Sequence, residues 1–185
     1  VVNWEGDPSR LKSWLELPNP KHLTIASGFH QFKFHKLELR PVHRHDSASG
    51  GTTADSREIG ASGKFGTPID LLAQFDPVRD APQKTWRKTG ASWNTPDGGT
   101  LMWPRPQTLP DEYDLEVEFE TTDRHSKGMM LSFLTALKQP TLVMDAASKW
   151  GISVVDGLDL DQPGNPTNVV GMEVPLNKRV TVKVS

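Results

Sequence analysis

Twelve residues, LPDEYDLEVEFE from Leu109 to Glu120, constrain the fold more than any other stretch of the chain. In them Tyr113, Leu115, Val117 and Phe119 alternate with Asp114, Glu116, Glu118 and Glu120. A period of two sends one set of side chains to a core and the other to the opposite face, so the stretch reads as a half-buried antiparallel strand. Pro110 is acceptable at its entrance but not inside a central ladder. The polar, Gly-closed segment TTDRHSKG then leads into a second apolar run, GMMLSFLTAL from Gly128 to Leu137, carrying Met129, Leu131 and Phe133. The expectation is that these two strands pair as a hairpin.

A length of 185 residues suits one well-buried domain better than two. Fifteen Gly and fifteen Pro, spread between short apolar runs, fit many turns rather than long helices. The formal net charge of -2, with acids and bases interspersed, gives no electrostatic footprint for nucleic acid or an anionic membrane, and neither is expected as a partner. The chain has no cysteine, which excludes disulfides and thiolate metal sites. No apolar run approaches the roughly 18 to 20 residues that span a bilayer, and VVNWEGD carries no signal-peptide pattern, so a soluble chain is expected.

Taken in order, Val1 to Trp4 begin directly in strand-like sequence, as a fragment would, and Gly6-Asp7-Pro8 breaks it. RLKSWLELP predicts one helical turn or a bulged loop before Pro18. HLTIAS and FHQFKFHKLELRPV are strands. In the second, the apolar parity slips between Phe34 and Leu37, which predicts a bulge or strand end near His35. From His43 to about Thr67 the sequence is small and polar and reads as flexible linker, about 25 residues spanning roughly 25 to 30 Å. Beyond it, TWRKTGASWN turns at Gly90, and GGTLMWPRP, TLVMD, KWGISVVDG, TNVVGMEV and RVTVKVS are short strands bounded by Gly, Pro, Asn or Asp. Strands at this spacing indicate a sandwich or barrel rather than βαβ units.

Three stretches, IDLLAQFDPVRDAPQKTW, LPDEYDLEVEFE and NPTNVVGMEVPLNKRVTVKVS, resemble successive parts of bacterial concanavalin A-like, or laminin-G-like, jelly-roll modules. They are more distantly similar to the 3-keto-disaccharide hydrolase domain family. In such modules a strand like RVTVKVS is followed by an Asp-Gly hairpin, then by sequence like VVNWEGDPSRL and a closing strand like FKFHKLELRPV; here those last pieces stand first. The resemblance implies an all-β, two-sheet antiparallel jelly-roll sandwich, with residues 1–42 as closing strands, 43–68 as linker and 69–185 as main body. The rotated order arises if 1–42 belong to a preceding repeat or if one module is permuted. Either way a strand-turn segment is missing between Ser185 and Val1, and an unpaired edge there invites dimerisation. The implied role is a non-catalytic binding or spacer module of a larger multidomain protein, with carbohydrate the favoured ligand and flanking domains as partners.

Several constellations bear on chemistry. Asp114, Glu116 and Glu118 share one strand face, as the Glu-x-Asp-x-Glu of retaining glycosidases of this fold does, although Glu116 stands where that pattern has Asp; this is the alternative, hydrolytic reading. The bland reading of the same residues is a solvated face. A purely structural repeat is the third reading. Trp93 with Asn94, and Trp103 with Arg105, lie beside turns and offer stacking faces with adjacent hydrogen-bonding groups for a sugar, whereas Trp4, Trp86 and Trp150 are expected in the core. Asp156, Asp159 and Asp161 cluster in a loop that suits calcium by composition but not by spacing, and His43, His45 and Asp46 open the linker without a fixed scaffold; no metal or other cofactor is expected. Neither a Gly-x-Ser-x-Gly elbow nor a phosphate-binding glycine loop is present.

Overall fold

The computed structural model describes residues 6–12, 22–27, 31–43, 64–81, 86–95, 100–102, 109–122, 128–135 and 138–185. After a 3-10 turn at Pro8–Arg10 the strands are β1 (Leu11–Lys12), β2 (Thr24–Ser27), β3 (Phe32–His43), β4 (Lys64–Phe65) and β5 (Ile69–Asp70). Two single-turn helices follow, α1 (Leu71–Gln74) and α2 (Pro77–Asp80). Then come β6 (Arg87–Thr89), β7 (Ser92–Asn94), β8 (Thr100–Met102), β9 (Tyr113–Thr121), β10 (Met129–Ser132) and β11 (Thr141–Ala146). The chain finishes with β12 (Lys149–Ile152), β13 (Val154–Val155), β14 (Leu158–Asp159), β15 (Val169–Val170) and β16 (Val180–Val184). The named strands all pair antiparallel, so the chain is mostly β, built of several antiparallel sheets.

The alternation in β9 does what its period dictates. Leu115, Val117 and Phe119 have no solvent exposure, while the carboxylates between them are half-buried on the other face. The larger sheet runs β16-β9-β3-β7-β6, with β4 and β5 added along β3. Its registers stack the apolar residues in rows across three strands: Leu39, Leu115 and Val184; Leu37, Val117 and Val182; Phe34, Phe119 and Val180. The register of β3 on β9 shifts between Phe34 and Lys36, which makes His35 the extra residue of a bulge. Without it, Leu37 and Leu39 would turn outward, because a one-residue slip reverses every side chain of a strand.

The second sheet runs β15-β12-β11-β10-β2-β8. Here Ile25, Leu131 and Leu142 lie in register across β2, β10 and β11. One hydrophobic cluster joins Phe32, Phe34 and Phe119 of the larger sheet to Met129, Leu131 and Met144 of this one, giving a sandwich-like two-layer body. A third, small sheet, β1-β13-β14, brings Leu11 against Ile152 and Val155.

The expected hairpin between β9 and β10 is not formed. Each strand belongs to a different sheet, β9 to the larger one and β10 to the second. Both strands carry a single apolar row, and placing them in facing layers buries both rows against each other. Tyr113, at the start of β9, ties the layers beyond the far end of β10: its hydroxyl donates to Leu134 O at 2.7 Å and accepts from Leu134 N–H at 2.8 Å. Burial pushes its phenol up to about 12.

Strands from the first forty-odd residues sit inside sheets made by the rest: β3 lies between β9 and β7, and β2 between β10 and β8. At the expected linker, β3 continues through His43, and β4 returns to pair with Val42 and His43, while Gly66 N–H donates to Pro41 O at 2.8 Å. The insert therefore leaves and re-enters at adjacent strand positions, and its residues 44–63 lie outside the described ones. The two helical turns, which apolar periodicity does not mark, are set by caps: Asp70 accepts from Ala73 N–H, and Asp76 from Val78 N–H with Pro77 in the first turn. Among the described residues no helix is long and apolar enough to cross a membrane, which says nothing of β-barrels.

Replacing Phe119 by Ala empties the centre of the shared cluster and is expected to cost about 3–5 kcal/mol in denaturant unfolding. Replacing its neighbour Glu118 by Ala removes only a solvent-facing ion pair and is expected to cost less than about 1 kcal/mol.

Candidate functional site

The outer face of β9 and its neighbours concentrates the charged side chains. Register sets Glu116 opposite Glu38 on β3 and Lys183 on β16, and Glu118 opposite Lys36 and Thr181. Lys36 Nζ reaches across to donate to Glu116 at 2.8 Å, and Lys183 Nζ lies 3.1 Å from the other oxygen of the same carboxylate. Arg179 pairs with Glu118 at 2.9 Å, and Arg40 with Glu38 at 2.9 Å. The hydrogen bond from Lys36, then that from Lys183, holds the Glu116 carboxyl below its usual range, and the Lys36 ammonium is raised in return by Glu116.

That electrostatic setting bears directly on the hydrolytic reading of Asp114, Glu116 and Glu118. A general acid working near neutral pH needs a carboxyl pKa raised by burial or by a like charge. Glu116 is shifted the opposite way, with a cation on each oxygen. Asp114, Glu116, Glu38, Arg40, Lys183 and Ser185 surround a depression of about 50 Å³, room for one or two waters. Pockets that enclose a small-molecule ligand are several-fold larger.

The bulge creates a second group that motif reading misses. His35 is almost wholly buried, its side chain 8% exposed. Its Nδ1 lies 3.0 Å from Ser92 Oγ on β7, and its Nε2 lies 3.4 Å from Glu120 Oε1 on β9. Lys33 Nζ shares that carboxylate at 3.3 Å. Burial draws the Glu120 carboxyl upward, but Lys33 and His35 together outweigh it and leave it lowered. Serine, imidazole and carboxylate in a row are the groups of a nucleophile relay. Here Ser92 is itself buried and His35 Nε2 makes no hydrogen bond, so the row ties three strands together without presenting a nucleophile to solvent. The parity slip at His35 is the one signal of it in the sequence.

The residues expected to bind sugar are placed differently. Trp93 is 7% exposed, its Nε1 donates to Leu72 O at 3.2 Å, and its ring meets Phe75 edge-on at 4.8 Å. Lys88 Nζ stands 5.7 Å from the same ring. Trp93 is a core residue, because β7 alternation turns it inward next to Phe34 on β3. Asn94 donates to Arg87 O and Thr89 Oγ1, which closes the β6–β7 hairpin. Trp103 and Arg105 lie outside the described residues, as do Trp4, His45 and Asp46. Trp86, just before β6, and Trp150, in β12, are buried, as expected.

The three aspartates of the loop are not brought together. Asp156 pairs with Arg10, which lowers the Asp156 carboxyl, while Asp161 pairs with Lys149 and Asp159 sits in β14. Asp156 and Gly157 take φ of 55° and 80° between Val155 and Leu158, the two-residue turn that an Asp-Gly pair favours. Among the described residues no group of three or more His, Asp or Glu side chains is arranged to hold a metal ion.

The ladder carries a pH signature. The Glu116 carboxyl titrates lower when folded than the ordinary value of 4.5, so the folded state binds fewer protons there and the contribution to stability is present above that value. It is lost as pH falls through the lowered folded value. Glu116→Gln is expected to lower stability at pH 7 by less than about 1 kcal/mol and to flatten the acid limb of the melting temperature against pH. An acid limb as steep as in the parent chain would contradict the pairing. No family model, curated protein or solved structure matches the chain, so its surface geometry has to speak for itself.

Proposed function

We propose that the chain is a non-catalytic binding or spacer module of a larger multidomain protein, built as a concanavalin A-like jelly roll, with carbohydrate its favoured ligand. The observation that carries the non-catalytic half is the internal neutralisation of the β9 carboxylates, each of Glu116, Glu118 and Glu120 having a cation from a neighbouring strand or loop. The Glu116 and Glu120 carboxyls are held below their usual range, the opposite of what a general acid needs. The jelly-roll assignment rests on the resemblance of the three quoted stretches. It is supported by β3 and β2, from the opening part of the chain, lying within sheets made by the later part. Carbohydrate rests on the resemblance alone, with Trp103 and Arg105 the remaining contact residues now that Trp93 and Asn94 are used internally.

A glycan array probed with the parent protein, with Trp103→Ala and with Glu116→Gln separates the readings. A sugar-binding module captures one glycan class, loses it in Trp103→Ala and keeps it in Glu116→Gln. Glycoside turnover abolished by Glu116→Gln would replace the proposal with the hydrolytic reading. Capture of no glycan would remove the ligand and leave the spacer.

A further inference from the structure

The two ends of the larger sheet are finished in opposite ways. At one end β6 is three residues long, and Arg87, Lys88 and Thr89 are all exposed. Adjacent cations on a short strand are a common guard against pairing with another chain, because a second strand would have to approach and desolvate them. At the other end β16 is five residues long and unbroken in register with β9, from Val180 opposite Phe119 to Val184 opposite Leu115. Among the described residues β9 is its only strand neighbour. No bulge or proline interrupts it, and it is the longer and more apolar of the two edges.

Burial along the same rows shows that this end is open. Leu115, Val117 and Phe119 are fully buried, whereas Val184, Val182 and Val180, one strand further out and packed on the same core, are only half-buried. The core is thus closed on this side by three valines whose outer flanks meet water. A strand added here would give β16 a second ladder of backbone hydrogen bonds and cover those flanks.

We propose that β16 pairs antiparallel with β16 of a second copy of the chain, about a two-fold axis through Val182. That register sets Val180 against the second copy's Val184, and Thr181 against the second copy's Lys183. It keeps the valines of both copies on the core side and the polar residues on the outer side. Each strand carries one cation within it, and this register opposes it to a neutral hydroxyl, so no like charges face each other. Lys183 and Arg179 are already paired with Glu116 and Glu118 of their own sheet, and association brings no unneutralised charge to the seam. The joined sheets form one continuous layer, with the guarded β6 edges outermost in both copies.

Sedimentation equilibrium of the protein over a concentration series, with Thr181→Lys and Thr181→Glu, tests the register. Position 181 is exposed, so both variants are expected to fold, and circular dichroism checks this. The two-fold axis makes each change count twice. Thr181→Lys sets lysine against lysine and is expected to weaken the dimer about tenfold, while Thr181→Glu sets glutamate against lysine and is expected to tighten it by a similar factor. Amide exchange in β16 of the parent protein should slow as concentration rises, a reading that needs no variant. A protein that stays monomeric throughout, or a dimer that Thr181→Lys and Thr181→Glu leave unchanged, overturns the proposal. So does a dimer disrupted by Arg87→Glu at the opposite edge.

Discussion

The packing of Leu115, Val117 and Phe119 between strands on both sides is the constraint on which the rest of the structure depends. Because β9 is central, each of its buried residues has one neighbour on β3 and one on β16, and a third set of contacts across the core. Removing water from such a row contributes roughly 25 cal/mol for each Å² of apolar surface buried. The partners come from opposite ends of the sequence, so that gain is collected only when the first forty residues and the last forty assemble on the same strand. The two parts of the chain thereby share one cooperative body.

The outward face of the same strands is a consequence of that alignment. Fixing Leu37 opposite Val117 and Leu39 opposite Leu115 also fixes Lys36 opposite Glu118 and Glu38 opposite Glu116, since alternate residues ride on one backbone. Lys183 and Lys33 meet the glutamates directly opposite them, while Lys36 reaches diagonally from opposite Glu118 to Glu116. Pairing with cations lowers the Glu116 and Glu120 carboxyls and disposes these two to structure rather than to proton transfer.

Two local devices reconcile the outer and inner demands. The bulge at His35 absorbs the residue that would otherwise put β3 out of phase, and the surplus imidazole is accommodated between Ser92 and Glu120. Tyr113 ties the start of β9 to the backbone just past β10 in the other layer, giving one hydroxyl to both backbone groups of Leu134. Both devices use polar groups to hold the sheets in place.

Much of this was legible along the chain. Alternation from Tyr113 to Phe119 named the buried residues, the parity slip named the bulge, and Gly90 named a turn, because each is a property of a few consecutive residues and their backbone geometry. What alternation cannot specify is the neighbour. An apolar row with a period of two is buried equally well by a strand beside it or by a layer facing it, so β10 could be read as the hairpin partner of β9 when it is in fact across the core. The same indifference hid the fate of Trp93 and of the carboxylates: whether an aromatic ring near a turn lies open, or an acid meets a lysine, is set by residues that are remote in sequence. The chain by itself decided which side chains go inward and where it bends; only the tertiary structure decided who meets whom, because pairing energies are summed over whole sheets and not over neighbours in the sequence.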